Sequence, residues 1–349
     1  MANSSPTRTA RALDLGYGFT KYTRGHHRPG GNIDVGCFPS FAALTPKQPS
    51  LDSAANLSSM NIVHVNVDGA IYAVGQDAKA AGTGQARQLL DSSYFTSPQY
   101  LALARGAMSF MQTGDRIDVL TTGLPLNVFG DKNLRAEVEH RLLGAHELPN
   151  ADGTTRRIVV GRVDVIPQVV GSLFALALAS DNVRKISNER NLTIDVGYGT
   201  LLWLMTEGLK PIPSRSNGNM GGVSSLLQSV VRAIDPAAAS NVGILERVDK
   251  ALRPDATRSI KINGVEVELD KHLMHLTSTA TENLAELIRS VGSPSDIDNV
   301  FLTGGGAHLY RNLVAKAFAG RDIIEDPVES QFTNVRGYQL LSERTLGEL

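Results

Sequence analysis

The segment Asp14-Leu15-Gly16-Tyr17-Gly18 returns about half a chain length later as Asp195-Val196-Gly197-Tyr198-Gly199. Each copy closes an apolar run, Ala10 to Leu15 and Leu192 to Val196, that reads as a strand. In each, an acidic residue precedes two glycines separated by a tyrosine. A repeat at this offset predicts a duplicated domain. The length agrees, because 349 residues exceed one ordinary core and suggest two domains at about 150 residues each.

Between and after the copies, strand and helix signals alternate. A second strand is expected over Ile33 to Phe38, and the aperiodic stretch Pro39 to Met60 reads as an excursion into a small peripheral subdomain. It ends in two alternating runs around Asp68-Gly69, the signature of a hairpin with a type I′ turn. Ser97-Pro98 supplies a cap and a first-turn proline for a helix to about Met111. A strand over Asp118 to Gly123 follows, then a helix carrying Leu134, Val138 and Leu142 and closed by Gly144. Arg157 to Val160 and Arg162 to Ile166 read as strands paired with each other, ahead of a buried helix over Val170 to Ala179. After the second copy, Leu201 to Thr206 returns as a strand, and the corner Gly218 to Gly222 opens a helix to about Ile234. The hairpin Ile260 to Val267 reads as a second peripheral insertion. Leu273, Leu276, Ala280, Leu284, Leu287 and Val291 space a long amphipathic helix that stops at Gly292. Asn299 to Thr303 is one more strand ending in glycines, Gly304-Gly305-Gly306, before a helix to about Ala319.

Composition removes several classes. With 34 Lys+Arg against 35 Asp+Glu, bulk charge forecasts no broad nucleic-acid surface. Cys37 is the only cysteine, so neither a disulfide nor a CxxC metal site forms within the chain, and a cytoplasmic setting is expected. The polar start, Met1 to Arg11, and the short apolar run Val169 to Ala179 predict no leader and no membrane anchor. No GxSxG elbow, no GxxxxGK[ST] loop and no third glycine of a dinucleotide fingerprint is present. His26-His27 reads as a solvated turn, and the eight histidines show no ligand spacing.

Three strand ends carry glycines, where main-chain N–H groups approach phosphate oxygens without hindrance from a Cβ. The first, Asp14-x-Gly16-x-Gly18-x-x-Lys21, adds an acid able to hold a water of hydrated Mg2+ and a lysine able to neutralise phosphate. The second, Asp195-x-Gly197-x-Gly199-Thr200, replaces the lysine with a hydroxyl donor. A glycine turn alone would be a plain hairpin, but the duplication favours two phosphate clamps. The third, Gly304-Gly305-Gly306, has no acid and suits a main-chain platform under an adenosine. Gln168, after Pro167 at a strand end, either caps the next helix or presents an amide that orients an attacking water.

Together these motifs resemble the actin–Hsp70–hexokinase superfamily of ATPases, and within it the ParM/StbA plasmid-segregation bacterial actins. Asp14 to Lys21 resembles the first phosphate motif, Val165-Ile166-Pro167-Gln168-x-x-Gly171 the first connecting motif and Ile194 to Thr200 the second phosphate motif. Val300 to Ala307 resembles the adenosine motif, and Thr333 to Tyr338 the second connection. The resemblance implies an α/β actin-like ATPase fold: two ribonuclease-H-like lobes, a nucleotide cleft between them and small peripheral subdomains. Lobe I would span about 10–185 with an insertion near 39–75, lobe II about 186–335 with an insertion near 213–267, and 336–349 would return to lobe I.

It also implies ATP, with GTP left open, and Mg2+ held through water by Asp14 and Asp195. Asp14, Gly16, Tyr17, Gly18 and Lys21 would hold the nucleotide with Asp195, Gly197, Tyr198, Gly199, Thr200 and Gly304 to Gly306. Gln168, Asp14 and Asp195 would form the catalytic set. The implied protein hydrolyses ATP on head-to-tail polymerisation with itself and reaches plasmid DNA through a centromere-binding adaptor, without a membrane. The alternative within the same fold is a nucleotide-switched scaffold that forms no filament. Two departures stand out. The acid often found two residues after Thr200 is Leu202 here, and many bacterial relatives have Glu where Gln168 stands. Glutamine orients water but cannot accept its proton, so slow hydrolysis before assembly is expected.

Overall fold

The computed structural model describes residues 8–27, 32–45, 60–81, 91–150, 154–179, 183–253, 256–326 and 329–347. The chain divides into two compact units, Met1–Asp181 with Phe332–Leu349, and Asn182–Gln331.

In the first unit β1 (Ala10–Leu15), β2 (Phe19–Thr23) and β3 (Val35–Pro39) form an antiparallel meander. β8 (Val119–Leu124) lies parallel on the other side of β1, and β11 (Val163–Pro167) lies parallel beside β8. The sheet order is therefore β11-β8-β1-β2-β3. All six residues of β1 are buried, as a central strand covered on both faces requires. Helix α1 (Pro98–Phe110) packs on β1 and β2; its expected cap is present, with Ser97 Oγ accepting from Tyr100 N–H at 3.1 Å. Two smaller sheets flank this one. β4 (Ala42–Leu44), β5 (Ile62–Val67) and β6 (Ala70–Gly75) form the peripheral sheet, and Asp68 and Gly69 take φ of 52° and 82° as the type I′ turn demands. Residues 46–59 of the expected excursion lie outside the described residues.

The other small sheet corrects an expectation. β10 (Thr155–Val160) does not pair with β11. It pairs antiparallel with β9 (Gly144–Pro149) and parallel with β7 (Arg116–Ile117). Gly161 and Arg162 are a kink rather than a reversal, so β10 and β11 run on in one direction beside β7 and β8, and the register is the same on both sides of the break. β9 begins at Gly144, where only the end of a helix is expected; that helix, α2, spans Lys132–Leu142.

Helix α3 (Gln168–Ala179) follows β11, and α8 (Thr333–Leu346) packs along β1 and β8. α3 and α8 cross at Gly171 and Gly337. A Cβ on Gly337 would run into the main chain of Gly171, and one on Gly171 into the Tyr338 ring, so glycine at both positions permits the backbones to touch.

The second unit repeats the arrangement. β12 (Arg190–Val196) pairs antiparallel with β13 (Leu201–Glu207), which continues to β14 (Lys210–Pro211) and β15 (Asn217–Asn219). On its other side β12 pairs parallel with β18 (Asn299–Thr303), and β18 with β19 (Asp322–Glu325), a strand absent from the sequence reading. Helices α4 (Val223–Ile234), α5 (Val242–Ala251), α6 (Leu273–Val291) and α7 (Ala307–Ala317) surround a core centred on Trp203, whose indole donates to Ser290 Oγ of α6 at 3.0 Å. Leu276, Ala280, Leu284, Leu287 and Val291 of α6 are buried, as their spacing predicts. β16 (Ser259–Ile262) and β17 (Val265–Glu268) form the expected hairpin.

His146 on β9 is buried and accepts at Nδ1 from the Arg105 guanidinium at 3.5 Å, so its proton sits on Nε2, facing Leu142 O at 2.9 Å. Burial holds its pKa below the usual imidazole value, reinforced by the Arg105 charge and opposed by the bond to Leu142 O. The unfolded chain then binds the extra proton first, so stability is complete above the ordinary histidine range and falls as pH drops through it. Urea unfolding is expected to weaken between pH 7 and 5 by at most about 1.4 kcal/mol per pH unit from this group, and His146→Gln to flatten that slope. An unchanged slope in the variant would remove His146 from the account.

Candidate functional site

Each central hairpin ends in a glycine turn beside a buried carboxylate. In the first unit the β1–β2 register sets Asp14 opposite Lys21 and Leu15 opposite Thr20, so Gly16 to Gly18 form the turn itself. Asp14 Oδ2 accepts from Lys21 Nζ at 2.8 Å, and Oδ1 accepts from Gln168 Nε2 at 3.0 Å. Gln168 is the first residue of α3, delivered to Asp14 because the parallel strands β1, β8 and β11 end on the same side. Its carbonyl accepts from the Tyr338 hydroxyl at 3.1 Å, which fixes the start of α3. Asp14 and Lys21, expected from one motif, and Gln168, expected from another, thus form one cluster. Asp14 is 1% exposed.

The turn carbonyls are drawn to one side. Gly16 O accepts from Ser40 Oγ at 2.6 Å and from the Tyr94 hydroxyl at 3.3 Å, and Gly18 O accepts from Ser40 N–H at 2.9 Å. Since a trans peptide sets N–H opposite C=O, the amides of Tyr17 and Phe19 point the other way, as an anion cradle requires. The Tyr17 ring does not join that cradle. It packs on Tyr94 and Phe95 at centroid distances of 5.2 and 5.8 Å, and its hydroxyl donates to Asp91 O at 3.3 Å. Burial and the Asp91 charge push its pKa up to about 12, so the phenol is neutral and only the main chain of Tyr17 serves the turn. Ser40 and Tyr94 carry no motif in the sequence. Ser40 could have been found only by extending the β2–β3 register past Pro39.

The second unit reaches the same geometry by different means. Asp195 lies opposite Leu202, and Gly197 N–H closes the turn on Thr200 O at 2.8 Å. The carbonyls of Gly197, Tyr198 and Gly199 accept from the amides of Val223, Ser224 and Gly222 at 3.0, 2.7 and 3.4 Å. The first turn of α4 thus takes the role that Ser40 and Tyr94 play in the first unit, and the amides of Tyr198, Gly199 and Thr200 face away from it. Tyr198 is partly buried against the core; burial and the Asp249 charge raise its pKa, so its ring too is neutral. Leu202, where an acid is common in the resembling family, is 1% exposed and belongs to the core.

The third glycine segment lies across the end of β12. Gly306 N–H donates to Val196 O at 3.0 Å, and Gly304 N–H donates to Ser330 O at 3.1 Å. Gly304 has φ 91°, and a Cβ there would meet Asp195 Oδ1 and Val196 O, so glycine is required on two counts. Gly305 is exposed and Gly306 buried. Asp195, Gly197 to Thr200 and Gly304 to Gly306 are therefore gathered at one end of the second sheet.

A family model for the N-terminal domain of actin-like proteins matches residues 12–171, and a model for the C-terminal domain of archaeal MreB-like actin homologues matches residues 193–316. Both matched segments of this chain are actin-like domains. An archaeal actin homologue of Thermoplasma volcanium is 26% identical over 242 residues, 67% of this chain and 71% of that protein. Among solved structures, an archaeal actin homologue in complex with ADP superposes with a TM-score of 0.71 at 19% identity, covering 96% of this chain and 99% of the other. A 15-stranded ParM filament from Clostridium botulinum gives a TM-score of 0.69 at 17% identity, with 96% and 99% covered. The fold is the actin-like fold.

Removing one partner of a buried carboxylate leaves an uncompensated charge. Lys21→Met is expected to lower unfolding free energy by about 2–4 kcal/mol, measured by urea denaturation, and adding Asp14→Asn to recover part of the loss. Additive effects of the two changes would show that the pair does not couple.

Proposed function

We propose that this chain is an ATP-hydrolysing filament protein: it binds ATP, or GTP in its place, assembles head to tail with its own copies and loosens on hydrolysis. The observation that carries the reading is the duplicated turn, in which a buried acid stands beside main-chain amides turned away from the groups that hold the turn carbonyls. In this reading both turns act on one nucleotide. The amides flanking Gly16, Gly18, Gly197 and Gly199 bind phosphate oxygens, Lys21 neutralises their charge, and Gly304 to Gly306 support the nucleoside.

Mg2+ supplies charge neutralisation at the phosphates when bound. Both oxygens of Asp14 already accept hydrogen bonds, from Lys21 and Gln168, which fits a role toward the metal through water rather than by direct ligation. Among the described residues no group of three or more His, Cys, Asp or Glu side chains is placed to hold an ion unaided. Asp14 and Asp195 would hold the hydration shell. Gln168, its amide nitrogen committed to Asp14, would turn its oxygen to the attacking water. Without a carboxylate base, turnover depends on positioning and rises on assembly.

The ADP complex of one structural neighbour and the filament of another support nucleotide binding and self-association. The cargo in this reading is plasmid DNA held through a centromere-bound adaptor, consistent with the near balance of charge in the chain. Among the described residues no helix is long and apolar enough to cross a membrane.

Sedimentation and phosphate release test the reading together. Wild-type protein is expected to pellet with ATP and Mg2+ and to release phosphate faster per chain as concentration rises. Gln168→Ala should bind nucleotide normally yet release phosphate about 100-fold more slowly. Release at the wild-type rate in that variant, or no nucleotide binding by the wild type, would refute the reading.

A further inference from the structure

The five-stranded sheet of the first unit ends at β11, and among the described residues no strand pairs with the outer side of β11. Leu120 N–H donates to Arg162 O at 2.9 Å across the β8–β11 ladder. By alternation along the strand, the main-chain groups of Val163 and Val165 face outward. That edge forms the floor of a cavity of about 720 Å3 whose walls carry Arg135 and Glu139 of α2 and Leu341 and Arg344 of α8. Arg162 and Asp164, also at the groove, neutralise each other at 2.7 Å. The remaining charges are two arginines against one glutamate. An open strand edge of this kind is a template for pairing unless something covers it.

The second unit carries an edge of matching chemistry. β17, Val265-Glu266-Val267-Glu268, is the outer strand of a two-stranded hairpin. Its inner strand β16 buries Ile260 and Ile262, whereas Val265 is 65% exposed. Along a strand the two glutamates share one side and the two valines the other. Glu266 accepts from Ser259 Oγ at 3.2 Å, and Glu268 pairs with Lys271 at 2.7 Å. These contacts are local and exposed, worth about 0–1 kcal/mol, so exchanging them for arginines costs little.

We infer that β17 of one copy docks along β11 of a neighbouring copy and extends the five-stranded sheet across the subunit boundary. Glu266 and Glu268 face the α2 wall with Arg135, and Val265 and Val267 face Leu341. Groove and strand are different surfaces of one chain, so the contact is heterologous and repeats from copy to copy without closing. The inference rests on the filament reading and names one contact within it.

Pelleting of the wild type with ATP and Mg2+ comes first; its failure defeats the filament reading itself, and this contact with it. Given pelleting, Glu266→Lys with Glu268→Lys should raise the concentration needed for assembly about tenfold, and adding Arg135→Glu should restore it in part. In a Cys37→Ser background, Val165→Cys chains mixed with Val267→Cys chains and treated with a short bis-maleimide should give cross-linked dimers holding one chain of each kind. The reagent tolerates a slip in register, and circular dichroism checks that each variant folds. Normal pelleting of the charge-reversed chain, or filaments that form without mixed dimers, would overturn the contact while leaving the filament reading intact.

Discussion

A carboxylate withdrawn from water at the end of a central strand is the constraint around which each sheet is built. Burial of that charge costs several kcal/mol unless hydrogen bonds replace the lost water. Asp14 meets the cost with Lys21 from the adjacent strand and Gln168 from the start of α3. Those contacts tie the paired strands β1 and β2 to the start of α3. Asp195 sits at the equivalent place in the second sheet, and Gly304, where any side chain would strike its carboxylate, lets the next strand end lie across it. A buried acid next to a turn whose amides take no part in holding its carbonyls is a poor way to stabilise a protein. In the proposed function it prepares a phosphate site.

Topology explains why those residues converge. In both units a hairpin supplies the acid and the turn, and parallel strands beside it end on the same side, delivering Gln168 in one unit and Gly304 to Gly306 in the other. The two units differ in how the turn carbonyls are held. Ser40 and Tyr94 use hydroxyls and one main-chain amide, while the second unit uses the first turn of α4. The glycine contact between α3 and α8 brings the helix after Gln168 against the helix that covers β1, so packing in the first unit leads directly to the cluster around Asp14.

Much of this was legible because short motifs carry their own geometry. The acid-glycine-tyrosine-glycine repeat located both central hairpins, Asp68-Gly69 located a turn, and the spacing of Leu276 to Val291 gave the buried face of α6. Gathering of Asp14, Lys21 and Gln168 into one cluster followed from the resemblance; the strand order shows why it occurs. Other features depend on contacts between residues remote in sequence. The Tyr17 ring looks available until Tyr94 and Phe95 are found against it. Ser40 is an ordinary loop serine until β3 is placed beside β2. β10 and β11 looked like a hairpin because Gly161 is a common turn residue, yet the chain kinks there without reversing. β9 pairs with the strand that follows it, but Gly144 reads as the close of a helix and hides its start, and β19 pairs with β18 only across the intervening helix α7.

A structure of the protein with a slowly hydrolysed ATP analogue and Mg2+ decides whether the two glycine turns share a nucleotide. The expected result is one nucleotide whose phosphate oxygens lie within hydrogen-bond distance of amides in both glycine turns of the same chain, with Asp14 and Asp195 reaching the metal through water. Phosphates bound at one turn only, or away from both, would contradict it.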